Sequence, residues 1–190
     1  MASYDTAKRI LTRALPSAVL RPQPRSDWQG DFPLPDAVAE YFTEFGPVDV
    51  TIDGYGNPYF LPSLSRLWEH QLGYRFHGRT RERILDWDDD WLVIADEAAD
   101  PFIFSRCGGI VFHAYHGEGI WQPKQMFNDL PEMVTTFAII GDIVAAAGSR
   151  LIDADAMIHR RYLDEARTRI AEATGSQERA HALVSSLGWG

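Results

Sequence analysis

Apolar and polar positions alternate along this chain with two periods, and the switches between them predict the elements. Ile10, Leu11, Ala14 and Leu15 fall on one face of a first helix that Ser3 can cap and Pro16 stops. Residues 16–35 carry Pro16, Pro22, Pro24, Pro33 and Pro35, a spacing that predicts an extended arm. Val38, Tyr41, Phe42 and Phe45 then recur at helical spacing between Leu34-Pro35-Asp36 and Gly46-Pro47. The pattern changes to alternation over residues 48–52. Asp53-Gly54 reads as a hairpin turn into a second strand over residues 55–61. Ser63 can cap a helix carrying Leu64, Leu67, Trp68 and Leu72.

Three short runs rich in β-branched and aromatic residues, 91–95, 101–105 and 110–115, predict further strands. Helices fill the remainder. One opens at Asn128 or Asp129 and ends at Gly148. Another is capped by Asp153, with Ala154, Ile158, Tyr162, Ala166 and Ile170 along one stripe and Gly175 beyond its end. A last short one begins at Ser176. The order predicts an α+β fold: a central, twisted, mostly antiparallel sheet flanked by helices, with an extra C-terminal helical segment. The expected organisation is an N-terminal helix and Pro-rich arm (1–33), an α+β domain (34–148) and a C-terminal helical extension packed on that domain (149–190).

Composition adds constraints. The 190 residues include 18 Lys and Arg against 27 Asp and Glu, a formal charge of −9, which argues against direct nucleic-acid binding because phosphate contacts need clustered cations. Cys107 is the single cysteine, so no internal disulfide can form and the chain suits a reducing cytosol. The start shows no basic segment followed by an apolar one. The unbroken apolar runs of residues 133–148 are short, interrupted by Thr135, Thr136 and Asp142. A soluble, cytoplasmic protein is expected.

The candidate chemistry is sparse. Cys107 with His113 or His116 has the residue types of a nucleophile and base, but no surrounding signature; a small buried cysteine is the plainer reading. Gly117-Glu118-Gly119 lacks the helix that a phosphate-binding loop requires. Asp86, Asp88, Asp90 and Glu97 occupy positions 1, 3, 5 and 12 of a calcium-loop spacing, yet Trp91 stands at position 6, where the turn needs glycine. No catalytic residue, cofactor or metal ligand is therefore expected. The charge map is more informative. Residues 86–100 hold seven acidic side chains and no basic one, and Arg75, Arg79, Arg81 and Arg83 lie just upstream. Either the arginines neutralise the acids within the molecule, or the acids stay exposed. In the second case Asp86, Asp88, Asp89, Asp90, Glu97 and Asp100 would form a partner-binding surface with Trp87 as its anchor.

An ordered set of segments also resembles the SUKH superfamily of cell-wall assembly regulators and bacterial toxin-immunity proteins. These are Leu34-Pro35 through Tyr41-Phe42 and Phe45-Gly46, the helix with Leu64, Leu67 and Trp68, then Trp91-Leu92-Val93-Ile94-Ala95-Asp96, Asp100-Pro101-Phe102 and Gly119-Ile120-Trp121, closed by the helix from about Asn128. Ala99 stands where that family usually has glycine; the resemblance covers about residues 30–147, and the first helix and residues 150–190 fall outside it. The resemblance implies a non-enzymatic binding protein without cofactor, most often one that neutralises a cognate toxin domain by direct contact. An acidic surface suits the basic cleft of a nuclease. The alternative it implies is a scaffold or regulatory module without a toxin partner, in which the C-terminal helices serve weak self-association.

Overall fold

Among the described residues of the computed structural model, six strands follow one another across a single antiparallel sheet in the order β1-β2-β3-β4-β5-β6, a meander. They are β1 (Val50–Ile52), β2 (Tyr59–Leu61), β3 (Trp91–Glu97), β4 (Asp100–Ser105), β5 (Val111–His113) and β6 (Lys124–Phe127). Among the described residues six α-helices accompany them: α1 (Tyr4–Ala14), α2 (Asp36–Glu44), α3 (Leu64–Leu67), α4 (Leu130–Ala147), α5 (Arg160–Thr174) and α6 (Gln177–Ser186). The fold is α+β with a C-terminal helical segment. The structure describes residues 1–117 and 119–189. Glu118, in the Gly117-Glu118-Gly119 turn, and Gly190 lie outside the described residues.

The chain forms two compact units whose borders differ from the three sequence divisions. One comprises Val19–Thr51 and Tyr59–Leu130; the other comprises Met1–Ala18, Ile52–Pro58 and Pro131–Gly190. In the sheet unit, β3 and β4 are buried over most of their length. Val93 and Ile103 pack with Tyr74, Trp87 and Ala114 on one face. On the other, Phe102 stacks on His113 at 4.5 Å and approaches Tyr59 and Phe127. Two buried glutamines tie irregular backbone to this core. Gln71 donates to Leu67 O and Val93 O and accepts from Val93 N, while Gln23 donates to Pro47 O and accepts from Leu64 N. Such pairing removes the cost of burying unmatched backbone groups.

In the helical unit, Ser3 and Ser176 cap α1 and α6 as expected, accepting from Thr6 N and Arg179 N. Glu132 and Arg179 join α4 to α6 through two contacts of 2.8 Å. Asp142 receives Arg13 at 2.7 Å and Arg169 at 2.6 Å. Residues Leu130–Arg150 are long and apolar enough, by length and composition alone, to cross a bilayer, contrary to what the short apolar runs suggested. However, 72 % of that window is buried within the folded chain.

Several elements differ from expectation. Gly119-Ile120-Trp121, which the resemblance implied would form a later strand, is not a strand; the sixth strand lies at Lys124–Phe127. Ser63 makes no side-chain cap, since its N–H and hydroxyl both donate to Asp49, and α3 is a single turn followed by a 3-10 turn over Glu69–Gln71. Asp153 does not open α5. Its carboxylate accepts from Asp155 N and Met157 N in a separate turn, and the helix begins at Arg160.

Candidate functional site

The acidic segment is built from its tryptophan outward. Trp87 is 1 % exposed, which corrects its expected role as a surface anchor. Its ring meets Trp91 and Trp121 edge-on at 5.3 and 5.7 Å and tilts against Tyr74, and its indole N–H donates to Trp91 O. An aromatic side chain of this size gains more by filling the core than by waiting in solvent. Trp87 therefore roots the loop instead of presenting it.

The arginines answer the charge question in part. Arg75 and Arg83 both reach Asp89 Oδ1, at 3.1 and 2.5 Å, and Arg83 also donates to Trp87 O. Burial and the neighbouring Arg83 charge lower the pKa of Arg75, and Asp89 opposes that shift. Arg81 instead stands 3.7 Å from Glu69. Asp90 turns inward. It accepts from Ser105 Oγ at 2.5 Å and Cys107 N at 2.7 Å. Burial disfavours its charged form, but these hydrogen bonds and the Arg106 charge outweigh burial and hold its carboxyl below the usual range. Cys107 is exposed, not buried as expected, and its contact with Asp90 pushes the thiol pKa up. A thiol held protonated is a poor nucleophile.

The remaining sequence-predicted residues separate. Asp86 and Asp88 are exposed, Asp88 accepting from Asp90 N at 2.8 Å. Beside them Leu85, which sequence reasoning passed over, is 91 % exposed. Glu97 and Asp100 are not part of this loop. They lie opposite each other at the far end of the β3–β4 hairpin, joined by Ala98 and Ala99, both with positive φ. Burial and the facing Asp100 push the Glu97 carboxyl up to about 7. Asp100 accepts from His116 N and contacts His116 Nδ1 at 2.5 Å. Burial pushes the His113 imidazole down to about 4, against the pull of Asp100. Residues 86–97 cannot form a calcium loop, because strand β3 begins at Trp91. Among the described residues, no group of three His, Cys, Asp or Glu side chains could hold a metal ion.

A second feature, with no motif behind it, is an open cleft of about 300 Å³ lined by Phe60, Pro62, Arg66, Glu69, His70, Leu72, Tyr74, Asp96 and Ala99. It depends on a β-bulge. The register shifts between Val93 and Ala95, so Asp96 pairs with Pro101 and falls on the Val93/Ile103 face, while Glu97 goes to the opposite one. His70 Nε2 comes within 2.8 Å of Asp96 Oδ2, but off the axis that a hydrogen bond requires, so this buried ring nitrogen is otherwise unpartnered. Burial, with the Asp96 and Asp100 charges, raises the Tyr74 phenol pKa. A neighbouring cleft of about 360 Å³ shares Glu69 and Leu72 and adds Gln29, Trp68, Phe76 and Arg81. No family model, curated protein or solved structure matches the chain.

Proposed function

We propose that the protein is a non-enzymatic, cytosolic binding protein of the immunity type, which blocks a cognate toxin domain by inserting the loop around Leu85, Asp86 and Asp88 into a basic cleft such as that of a nuclease. The observation that carries this reading is the 91 % exposure of Leu85 beside two exposed carboxylates. An apolar side chain of this size held in water next to charge suits a contact that buries it. The loop is also fixed in shape. Trp87 anchors it from below, the Arg75 and Arg83 pairs hold Asp89, and Asp90 is bonded to Ser105 and Cys107. Preorganisation of this kind lowers the entropy lost on association. The order of segments resembling the SUKH superfamily supports the same reading.

The test is calorimetric titration against the toxin domain encoded next to the gene. Charge reversal at Asp86 and Asp88 together is expected to weaken binding and flatten its salt dependence. Unchanged affinity and salt slope would refute this surface. A neighbourhood of metabolic genes with no toxin would favour the scaffold alternative.

A further inference from the structure

We propose that the cleft floored by Asp96 and His70 is a binding site for an alkyl cation, a guanidinium or ammonium group on an aliphatic stem, separate from the Leu85 loop. Arg66, Glu69, His70 and Asp96 line it beside the Tyr74 phenol, and the partners of these four decide its sign. Arg66 is held by Asp49 at 3.2 Å, so its charge is already met outside the cleft. Among the described residues Glu69 pairs only with Arg81, at 3.7 Å, with both side chains about two-thirds exposed, a pair that an incoming cation can replace. Asp96 is 15 % exposed at its side chain, and its near neighbour His70 is misaligned for a hydrogen bond. Two carboxylates are therefore available to a ligand where no cation is well bound to them. An anion entering the same space would meet both.

The walls select the rest of the ligand. Phe60 and Tyr74 flank the imidazole at 5.6 and 6.2 Å between ring centres, and aromatic faces attract cations. Leu72 supplies an aliphatic side for the stem. The ligand could be a free amine or a basic side chain of a polypeptide. Because the neighbouring cleft shares Glu69 and Leu72, a peptide has room for flanking residues that a free amine lacks.

Nitrogen-15 chemical-shift titration of the whole chain tests this with two probes, agmatine and a blocked Gly-Gly-Arg-Gly-Gly peptide. Both are expected to shift amides at Phe60, His70, Tyr74, Asp96 and Ala99, the peptide binding more tightly. Agmatine binding alone assigns the site to free amines. Asp96→Asn should weaken either probe about tenfold, the loss of one charge-assisted contact. Glu69→Gln, on the exposed rim where folding is not at stake, should weaken it about threefold. Glu44→Gln, on the exposed end of α2, serves as the control and should change nothing. No shifts at millimolar probe, equal shifts with inorganic phosphate, or full affinity in both cleft variants would overturn the proposal.

Discussion

Replacing either Glu97 or His113 should uncover a pH dependence of stability that the native chain conceals. Burial with the facing Asp100 raises Glu97 from 4.5 to about 7, so the folded chain binds that proton more tightly than the unfolded chain does. Its contribution is complete below pH 4.5 and is lost as pH rises through 7. His113 has the opposite sign. Burial lowers it from 6.5 to about 4, so its contribution is complete above pH 6.5 and is lost as pH falls through 4. Between pH 4.5 and 6.5 the two slopes oppose each other, each at most about 1.4 kcal/mol per pH unit. Glu97→Gln leaves the histidine slope, so stability should climb across that window. His113→Gln leaves the glutamate slope, so stability should fall. The ceiling is about 2.7 kcal/mol in each direction, and the fall left by His113→Gln is reduced to about 1–2 kcal/mol because Glu97 is partly solvated. Urea unfolding followed by tryptophan fluorescence reads this directly, since Trp28, Trp68, Trp87, Trp91 and Trp121, five of the 6 tryptophans, lie in the sheet unit. Only the pH slope is compared, so any constant cost of either substitution drops out. Parallel slopes in the native chain and both variants would refute the reasoning.

Three further outcomes follow from packing and backbone geometry. Trp87→Ala should cost about 3–5 kcal/mol in urea unfolding, as expected for emptying a fully buried aromatic site, whereas a loss under about 1 kcal/mol would mean that the loop is not rooted in the core. Ala98 and Ala99 connect β3 and β4 at φ 51° and 76°, so Asn-Gly in their place should stabilise the hairpin by about 1 kcal/mol, read as a raised thermal midpoint. A Cβ on Gly141 of α4 would sit 2.4 Å from Ile52 Cγ2, so Gly141→Ala should destabilise by a net of about 1–2 kcal/mol despite its better helix propensity, measured by thermal unfolding.

The fold class was legible because the apolar periods are strong where elements are long. Ser3, Pro16 and Gly148 mark helix ends that the structure keeps. Failures cluster where tertiary partners override local signals. Ser63 looks like a cap, yet Asp49 claims its N–H and hydroxyl; Asp153 also looks like a cap, and its carboxylate closes a loop instead. Strand β6, Lys124–Phe127, has only Met126 and Phe127 buried, too little alternation to announce itself. The candidate loop was half legible. Its acids were visible as a run, but burial of Trp87 depends on Tyr74 and Trp121, distant in sequence. The cleft was not legible at all. A bulge near Ile94 decides which face Asp96 takes, and no residue type in that stretch signals it.

That redistribution of acids bears on how the proposed contact would divide its energy. Of the seven carboxylates in residues 86–100, Asp89 is met by two arginines, Asp90 by Ser105 and Cys107 and Asp100 by His116, Asp96 lines the separate cleft beside His70, and Glu97 holds its proton up to about neutrality. Asp86 and Asp88 remain as exposed charge on the loop. Two solvated carboxylates mainly accelerate encounter, and their effect fades with salt. Leu85 is different: burying it fully is worth about 1.5–3 kcal/mol, and that gain is realised only once the partner has closed over it. Neutralising Asp86 and Asp88 should therefore slow association, whereas Leu85→Ala should speed dissociation and leave association nearly unchanged. Stopped-flow binding separates the two. If Leu85→Ala instead slowed association as strongly as the aspartate changes, apolar docking would already be formed at the encounter, and the division of labour argued from exposure would fail.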